Sequence, residues 1–404
     1  MHLQYFFYQH KSDTMSVEGP GNIDRRKFLK GAAAAAITLG LSADSDQPQA
    51  MKERISNESY DRWKKERPLP EMETIESGGR PMEIVDVRPE VATEKPAILL
   101  SPAWAVPVSI YRPALTTLKA NGRRVLSFNN PRSEGRTEVT PDQQKKLEGF
   151  SFSQDAVQKA MDILAVLDSK VPDHAPISAI GHSNGAIGLM IAALIEPERF
   201  KSIVLYGPSG MMEGESRTRL ATGFIKQGLQ PVAPTLGNLE DWPQHKQYMD
   251  TLSEEDKAAY RRSIADAQAK GEMGTYVKIS DDGTAAGVRD HLEGEMADYA
   301  SQNKMLTVKE MWQMPGNVTL DILAKLKEAG VTVGIVSGVD DQVFPAKNIM
   351  ESLSATKPQG ADITTIVDGF LSVRGGHGDM NEHPEEFMVP IESLMSKLEK
   401  KRQH

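Results

Sequence analysis

The chain has 404 residues, enough for one large domain with an insertion or for two domains, and carries a formal net charge of −9 at neutral pH. That balance argues against a nucleic-acid partner, and 39% hydrophobic with 25% charged residues suits a soluble globular protein. The absence of cysteine excludes disulfides, thiolate metal sites and a cysteine nucleophile together.

Near the start, Asp24-Arg25-Arg26-Lys27-Phe28-Leu29-Lys30 leads into an apolar run from Gly31 to Ala43. This resembles a twin-arginine (Tat) export signal, with Asp24 standing where Ser or Thr is more usual. About a dozen apolar residues are too few to span a bilayer, which needs about twenty, so no stable transmembrane span is expected. Leu41-Ser42-Ala43 and Pro48-Gln49-Ala50 are candidate cleavage sites. The resemblance implies that a folded protein is handed to a Tat translocase and delivered to the periplasm or the cell exterior. Residues 1–43 are therefore read as an N-terminal extension and signal, and the polar, charged residues 44–75 as a linker.

Residues 76–210 have the texture of the first part of a core. Met82 to Val87 and Ala97 to Leu100 are strand-like, the second running into Ser101-Pro102-Ala103-Trp104. Tyr111 to Ala120 reads as a helix stopped at Gly122, and Val125 to Phe128 as the next strand. After the turn Asn130-Pro131-Arg132-Ser133-Glu134-Gly135-Arg136-Thr137, the pattern from Phe152 to Leu167 is an amphipathic helix with Val157, Met161 and Leu164 on one face. Alternating strands and helices predict an α/β fold with a mostly parallel central sheet covered on both faces.

The next stretch, Ile180-Gly181-His182-Ser183-Asn184-Gly185-Ala186-Ile187-Gly188, organises the rest. Gly181 to Gly185 fits G-x-S-x-G between a short buried strand and an apolar helical pattern, the context of a nucleophile elbow. A Cβ on either glycine would collide with the neighbouring strand and helix. The pentapeptide alone also arises by chance; the strand–turn–helix flanks are what single it out.

Together with Arg132 and Gly135 in the preceding turn, the elbow resembles the α/β-hydrolase family, in which a D-x-R-G-x-G-x-S turn stands at the position of Asn130 to Thr137. Asn130, Ser133 and Thr137 depart from that pattern. The likeness extends over residues 80 to 400, less the segment 211–316, which is charged, rich in methionine and without strand-like runs. That segment is read as an inserted helical cap, with a helix over Glu254 to Ala269, and Trp242, Tyr248, Met311, Trp312 and Met314 either line a pocket or pack cap against core. Residues 317–404 resume the core: a helix from Leu320 to Ala329, a strand from Val331 to Val336, a last strand from Ile363 to Val367, and a closing helix from Glu385 to Leu398 interrupted at Pro390.

The resemblance implies a serine nucleophile followed in chain order by an acid and a histidine. Gly338-Val339-Asp340-Asp341-Gln342-Val343-Phe344-Pro345 resembles the family's G-x-x-D-x-x-F-P turn, which selects Asp341 over its neighbour Asp340. His377, in the glycine-rich Arg374 to Asp379 loop, is the histidine best placed to return over the elbow. His383 opens the closing helix, His182 is expected to point away from the nucleophile, and His174, His245 and His291 precede or interrupt the required order. Two backbone amides are needed for an oxyanion, one from Asn184 and one after the Leu100 strand. Pro102 has no N–H, leaving Ala103 or Trp104, with Trp104 preferred.

The reading is an exported serine hydrolase acting on a small-molecule ester-type acyl substrate through catalytic Ser183, Asp341 and His377, with Trp104 and Asn184 amides at the oxyanion. It calls for no cofactor and no metal, and no H-E-x-x-H cluster is present. Amidase, carbon–carbon hydrolase, acyltransferase and perhydrolase chemistry share the same three residues. A non-catalytic binding protein of the same fold is the alternative of a different class.

Overall fold

The computed structural model describes residues 60–171, 173–228, 254, 284–338, 340–373, 376–378, 380 and 384–401. The twin-arginine-like segment, the linker as far as residue 59, most of the expected Glu254 to Ala269 helix, Trp242, Tyr248 and His245 lie outside the described residues.

Eight strands form one sheet in the order β1-β2-β4-β3-β5-β6-β7-β8. They are β1 (Glu73–Ser77), β2 (Arg80–Val87), β3 (Ile98–Ser101), β4 (Val125–Phe128), β5 (Ile177–His182), β6 (Phe200–Tyr206), β7 (Thr332–Gly338) and β8 (Gly369–Val373). β2 runs antiparallel to β1 and β4, and every other pairing is parallel. Successive residues of the central strands are buried on opposite faces: Leu99, Ala179 and Ile203 meet one hydrophobic layer, Ile98, Ile180 and Val204 the other. This two-sided burial is why these strands read as continuous apolar runs.

The helices are α1 (Arg112–Ala120), α2 (Pro141–Leu147), α3 (Gln154–Lys170), α4 (Asn184–Ile195), α5 (Arg217–Gly228), α6 (Thr284–Ser301), α7 (Lys304–Gln313), α8 (Leu320–Glu328), α9 (Ala346–Thr356) and α10 (Pro384–Lys401). α3, α4 and α8 cover one face of the sheet, while α1 and α10 cover the other. α3 starts at Ser153, whose side chain accepts the Ala156 amide, and α2 carries a full capping box from Thr140 to Gln143. Between β6 and β7 the chain inserts α5, α6 and α7, and the described part of that insertion contains no strand. Among the described residues no helix is long and apolar enough to cross a membrane.

Three expectations are corrected. Part of the expected linker is built into the fold: residues 60–66 are helical, Tyr60 and Trp63 are buried against Ile110 and Leu292, and β1 begins at Glu73. Two aromatic side chains three positions apart share one helical face, which the surrounding charges concealed. β1 joins β2 through Gly78 and Gly79 at φ +57° and +72°, the two-residue hairpin turn that requires positive φ at both positions. The last strand is Gly369–Val373, whereas Ile363–Thr365 forms a 3₁₀ turn in which the Asp362 side chain accepts the Thr364 amide. Asp362 favours that turn over the extended form suggested by the β-branched run. Finally, α10 passes through Pro390 unbroken. The buried face of Phe387, Met388, Ile391, Leu394, Met395 and Leu398 outweighs the one helical hydrogen bond that proline removes.

Candidate active site

β5 delivers the chain to the carboxyl end of the sheet, where Ser183 turns it into α4 with φ +53° and ψ −123°. A non-glycine residue at positive φ is held there only when its surroundings fix it. Here the Ser183 amide donates to Tyr206 O at 3.0 Å, and its carbonyl accepts Ser209 N–H at 3.1 Å. A Cβ on Gly185 would fall on the Ser101 and Pro102 carbonyl oxygens, and one on Gly181 would come within 2.8 Å of Ala186 Cα. A serine at positive φ, placed between the central parallel strand and a buried helix, in a sheet of this order with a helical insertion after β6, decides the architecture. The fold is that of an α/β-hydrolase.

In this α/β-hydrolase fold, the three side chains selected from sequence meet above β5, β6 and β7. His377 Nε2 lies 2.8 Å from Ser183 Oγ, and His377 Nδ1 lies 2.8 Å from Asp341 Oδ2. The other Asp341 oxygen accepts the Val343 and Phe344 amides at 2.8 and 2.7 Å. A carboxylate can only accept, so Nδ1 carries the imidazole proton and Nε2 presents its lone pair to the serine hydroxyl. Asp340 follows β7 in the same turn, but it is Asp341 that reaches His377. Ser183 and Asp341 are each 1% exposed and His377 8%, so the hydrogen bonds stand in surroundings from which water is largely excluded.

The two amides expected to face an oxyanion are differently placed from their neighbours. Asn184 opens α4, where a first-turn N–H has no acceptor within the helix. Ala103 N–H is taken by Tyr111 Oη at 2.8 Å, which leaves Trp104 as the candidate amide of that loop. The Trp104 indole is pinned by its Nε1 to Thr307 O at 3.0 Å, so α7 of the insertion sets its orientation.

Several residues at the site carry no sequence signal. Gly207, at φ +46°, lies beneath the acid–imidazole bond: a Cβ there would be 3.0 Å from Asp341 Oδ2 and 3.1 Å from His377 Nδ1. Phe224 of α5 sets its ring edge-on to His377 at 6.4 Å and tilts against Trp104 at 5.4 Å, bringing the insertion onto the site. Lys159, fully buried on α3, donates to Asn184 Oδ1, and burial pulls its ammonium below the ordinary lysine range. His182 does point away from Ser183, but its Nε2 reaches back to His377 O at 3.0 Å. Repeated positive φ and ring contacts of this kind could be found only in three dimensions.

The insertion is held by the turn after β4. Arg132 pairs with Glu310 at 2.9 Å and stands 5.4 Å over the Tyr299 ring, whose hydroxyl donates to Asn130 O. Of the described methionines and tryptophan considered as pocket lining, Met314 is packed in the core, Met311 is buried, and Trp312 is 40% exposed beneath the Arg217 guanidinium. Among the described residues no group of three or more His, Asp or Glu is arranged to hold a metal ion.

No family model and no curated protein matches the chain. Solved structures similar to it include a hydrolase from Pseudomonas aeruginosa PA01, 16% identical over 81% of this chain and 99% of that one, with a TM-score of 0.46. An enol-lactonase from Burkholderia xenovorans LB400 is 14% identical over 80% and 99% of the two chains, with a TM-score of 0.47. An esterase from Exiguobacterium antarcticum is 14% identical over 80% and 98%, with a TM-score of 0.48.

Proposed function

We propose that the protein is an exported serine hydrolase that cleaves an ester-type acyl bond through an acyl-enzyme on Ser183. Ser183 Oγ attacks the carbonyl carbon while His377 Nε2 takes its proton, and Asp341 orients and stabilises the resulting imidazolium. The carbonyl oxygen, now an oxyanion, is held by the Trp104 and Asn184 amides. Collapse of the tetrahedral adduct expels the alcohol, which leaves with the proton from Nε2. Water, giving its proton to His377 Nε2, then attacks the acyl-enzyme, and collapse of that adduct releases the acid while Nε2 returns the proton to Ser183 Oγ.

The observation that carries this reading is the continuous path from Asp341 Oδ2 through both His377 nitrogens to Ser183 Oγ, with both contacts at 2.8 Å. A scaffold used only for binding has no need of a serine hydroxyl directed at an oriented imidazole. The test is a panel of p-nitrophenyl esters of rising acyl length, given to wild type and Ser183→Ala. Wild type is expected to turn over at least one ester, and the variant to lose about 10⁴-fold or more in kcat while keeping its fold. Equal rates would remove Ser183 from the mechanism.

Export is supported by the Arg25-Arg26 pair and the apolar run that follows it. Replacing both arginines with lysine is expected to retain the protein inside a bacterial host that carries a Tat translocase. Undiminished export would refute that route.

A further inference from the structure

A second hydrogen-bonded chain lies behind the first. Ala103 N–H donates to Tyr111 Oη at 2.8 Å, Tyr111 Oη lies 2.7 Å from His182 Nδ1, and His182 Nε2 lies 3.0 Å from the backbone oxygen of His377. Tyr111 is fully buried and His182 is 2% exposed. The direction of every bond in this chain follows from its two ends. A carbonyl oxygen has no proton to give, so His182 Nε2 must be the protonated nitrogen. In a neutral imidazole Nδ1 is then a lone pair, and Tyr111 O–H donates to it. The phenol oxygen is left to accept from Ala103.

Protonation of His182 would place an N–H against the tyrosine hydroxyl and force that hydroxyl to turn. Burial first, and the neighbouring His377 second, hold the His182 imidazole well below its ordinary range, so the neutral form persists. The rings facing it are Tyr111, Tyr206 and His377, at 5.8, 5.1 and 5.1 Å between centroids.

The chain touches each part of the proposed reaction at the reacting residue's own backbone or at the residue before it. Ala103 precedes Trp104, whose amide faces the oxyanion; His182 precedes Ser183; and His377 is the base itself. We infer that Tyr111 and His182 are positioning residues, a relay that locks the oxyanion loop and the base loop to the nucleophile elbow. This rests on the proposed serine chemistry for its catalytic consequence but not for its geometry. Displacement of reacting groups by about 1 Å can cost about 10²-fold in rate, so a relay that fixes three loops together belongs to kcat rather than to substrate affinity.

The two halves of the relay separate by substitution. Gln places its side-chain N–H near the imidazole Nε2 and can keep the bond to His377 O; Asn places its amide near Nδ1 and can keep only the bond to Tyr111. Tyr111→Phe removes the hydroxyl and retains the ring. On the best p-nitrophenyl ester, Tyr111→Phe and His182→Asn are each expected to lower kcat about 10- to 100-fold with KM within about twofold. His182→Gln, which keeps the bond to His377 O but breaks the link to Tyr111, is expected to lose about as much as Tyr111→Phe. The double variant Tyr111→Phe/His182→Asn should be no slower than its slower parent, because one unit is broken only once. Unchanged kcat in Tyr111→Phe, or losses that multiply in the double variant, would overturn the relay.

Imidazole ¹⁵N resonances of His182 in the wild type give a readout independent of turnover and of any variant's folding. They are expected to report the neutral, Nε2-protonated tautomer from pH 5 to 8; an Nδ1-protonated or charged ring in that range would overturn the proposal. If wild type proves inert to every ester, the proposed function fails while this measurement still decides the relay.

Discussion

Both ends of the parallel sheet bury clusters of hydrogen-bonded polar groups, and the two clusters are made of different chemistry. At the amino end, Arg123 bonds to Glu392 at 2.9 Å and to both oxygens of Glu399 at 2.9 and 3.0 Å. Ser178 Oγ donates to Glu399 at 2.5 Å and itself accepts Ser202 Oγ at 2.9 Å. These contacts fasten the end of α10 to the starts of β5 and β6 beside the entry to β4. A guanidinium cannot release its proton in the working range of a protein, so that cluster can only hold. At the carboxyl end the same economy of buried hydrogen bonds runs through the imidazoles of His182 and His377, a side chain that can hold a proton on one ring nitrogen and accept one on the other. The difference teaches that burial and hydrogen bonding set rigidity, while the identity of the bonded groups sets whether rigidity becomes chemistry.

The strongest way to separate the two ends is to disable one and measure both properties. His377→Ala is expected to reduce kcat on a reactive ester by about 10⁴-fold while the thermal midpoint stays within a few degrees of wild type. Arg123→Ala reverses the pattern: it takes the guanidinium from the buried Glu399 carboxylate and is expected to cost about 3–5 kcal/mol in urea unfolding, with kcat per folded molecule unchanged. Loss of activity without loss of stability in Arg123→Ala would erase the distinction.

A smaller effect is expected where one residue serves both purposes. Gly207→Ala forces a Cβ to within 3.0 Å of Asp341 Oδ2 at a backbone φ of +46°. It is expected to destabilise by about 1–3 kcal/mol and to lower kcat about tenfold or more as His377 is displaced. A variant as active and stable as wild type would show that the acid–imidazole bond does not depend on that close approach.

The smallest effect is one of pH. His182 is held well below its ordinary value in the folded state, chiefly by burial, whereas the unfolded chain binds its proton near the ordinary histidine value. Below that ordinary value the unfolded state therefore holds more protons, and stability falls as pH falls, by at most about 1.4 kcal/mol per pH unit from this one group. Urea midpoints measured from pH 7.5 to 5 should decline more steeply in wild type than in His182→Gln. Equal slopes would show that His182 takes its proton in both states alike.

Much of the sheet was legible because strands buried on both faces must be apolar throughout: Val125–Phe128 coincides with its expected limits, and β2, β3 and β7 differ from theirs by only a few residues. The errors fell where tertiary contacts decided the outcome. Tyr60 and Trp63 are anchored by residues from distant parts of the chain, and α10 keeps Pro390 because its apolar face is covered. Gly369 admits Leu394 so closely that an added Cβ would lie 2.7 Å from it, which permits β8 to begin at a residue that sequence propensity disfavours in strands. Ser183 and Asp341 could be chosen because each lies in a local pattern that resembles the family's, and His377 because the resemblance implies a histidine after the acid and a glycine-rich loop holds one there. Tyr111, His182, Gly207 and Phe224 could not, because their importance comes from what lies across the sheet from them.

The central claim is that Ser183 is a nucleophile activated by His377. A fluorophosphonate followed by intact-mass and peptide analysis measures this without knowledge of the natural substrate. The expected result is one phosphonyl adduct on Ser183 in the wild type, absent in Ser183→Ala and at least about 100-fold slower to form in His377→Ala. An unmodified wild type, or labelling that proceeds equally without the imidazole, would contradict it.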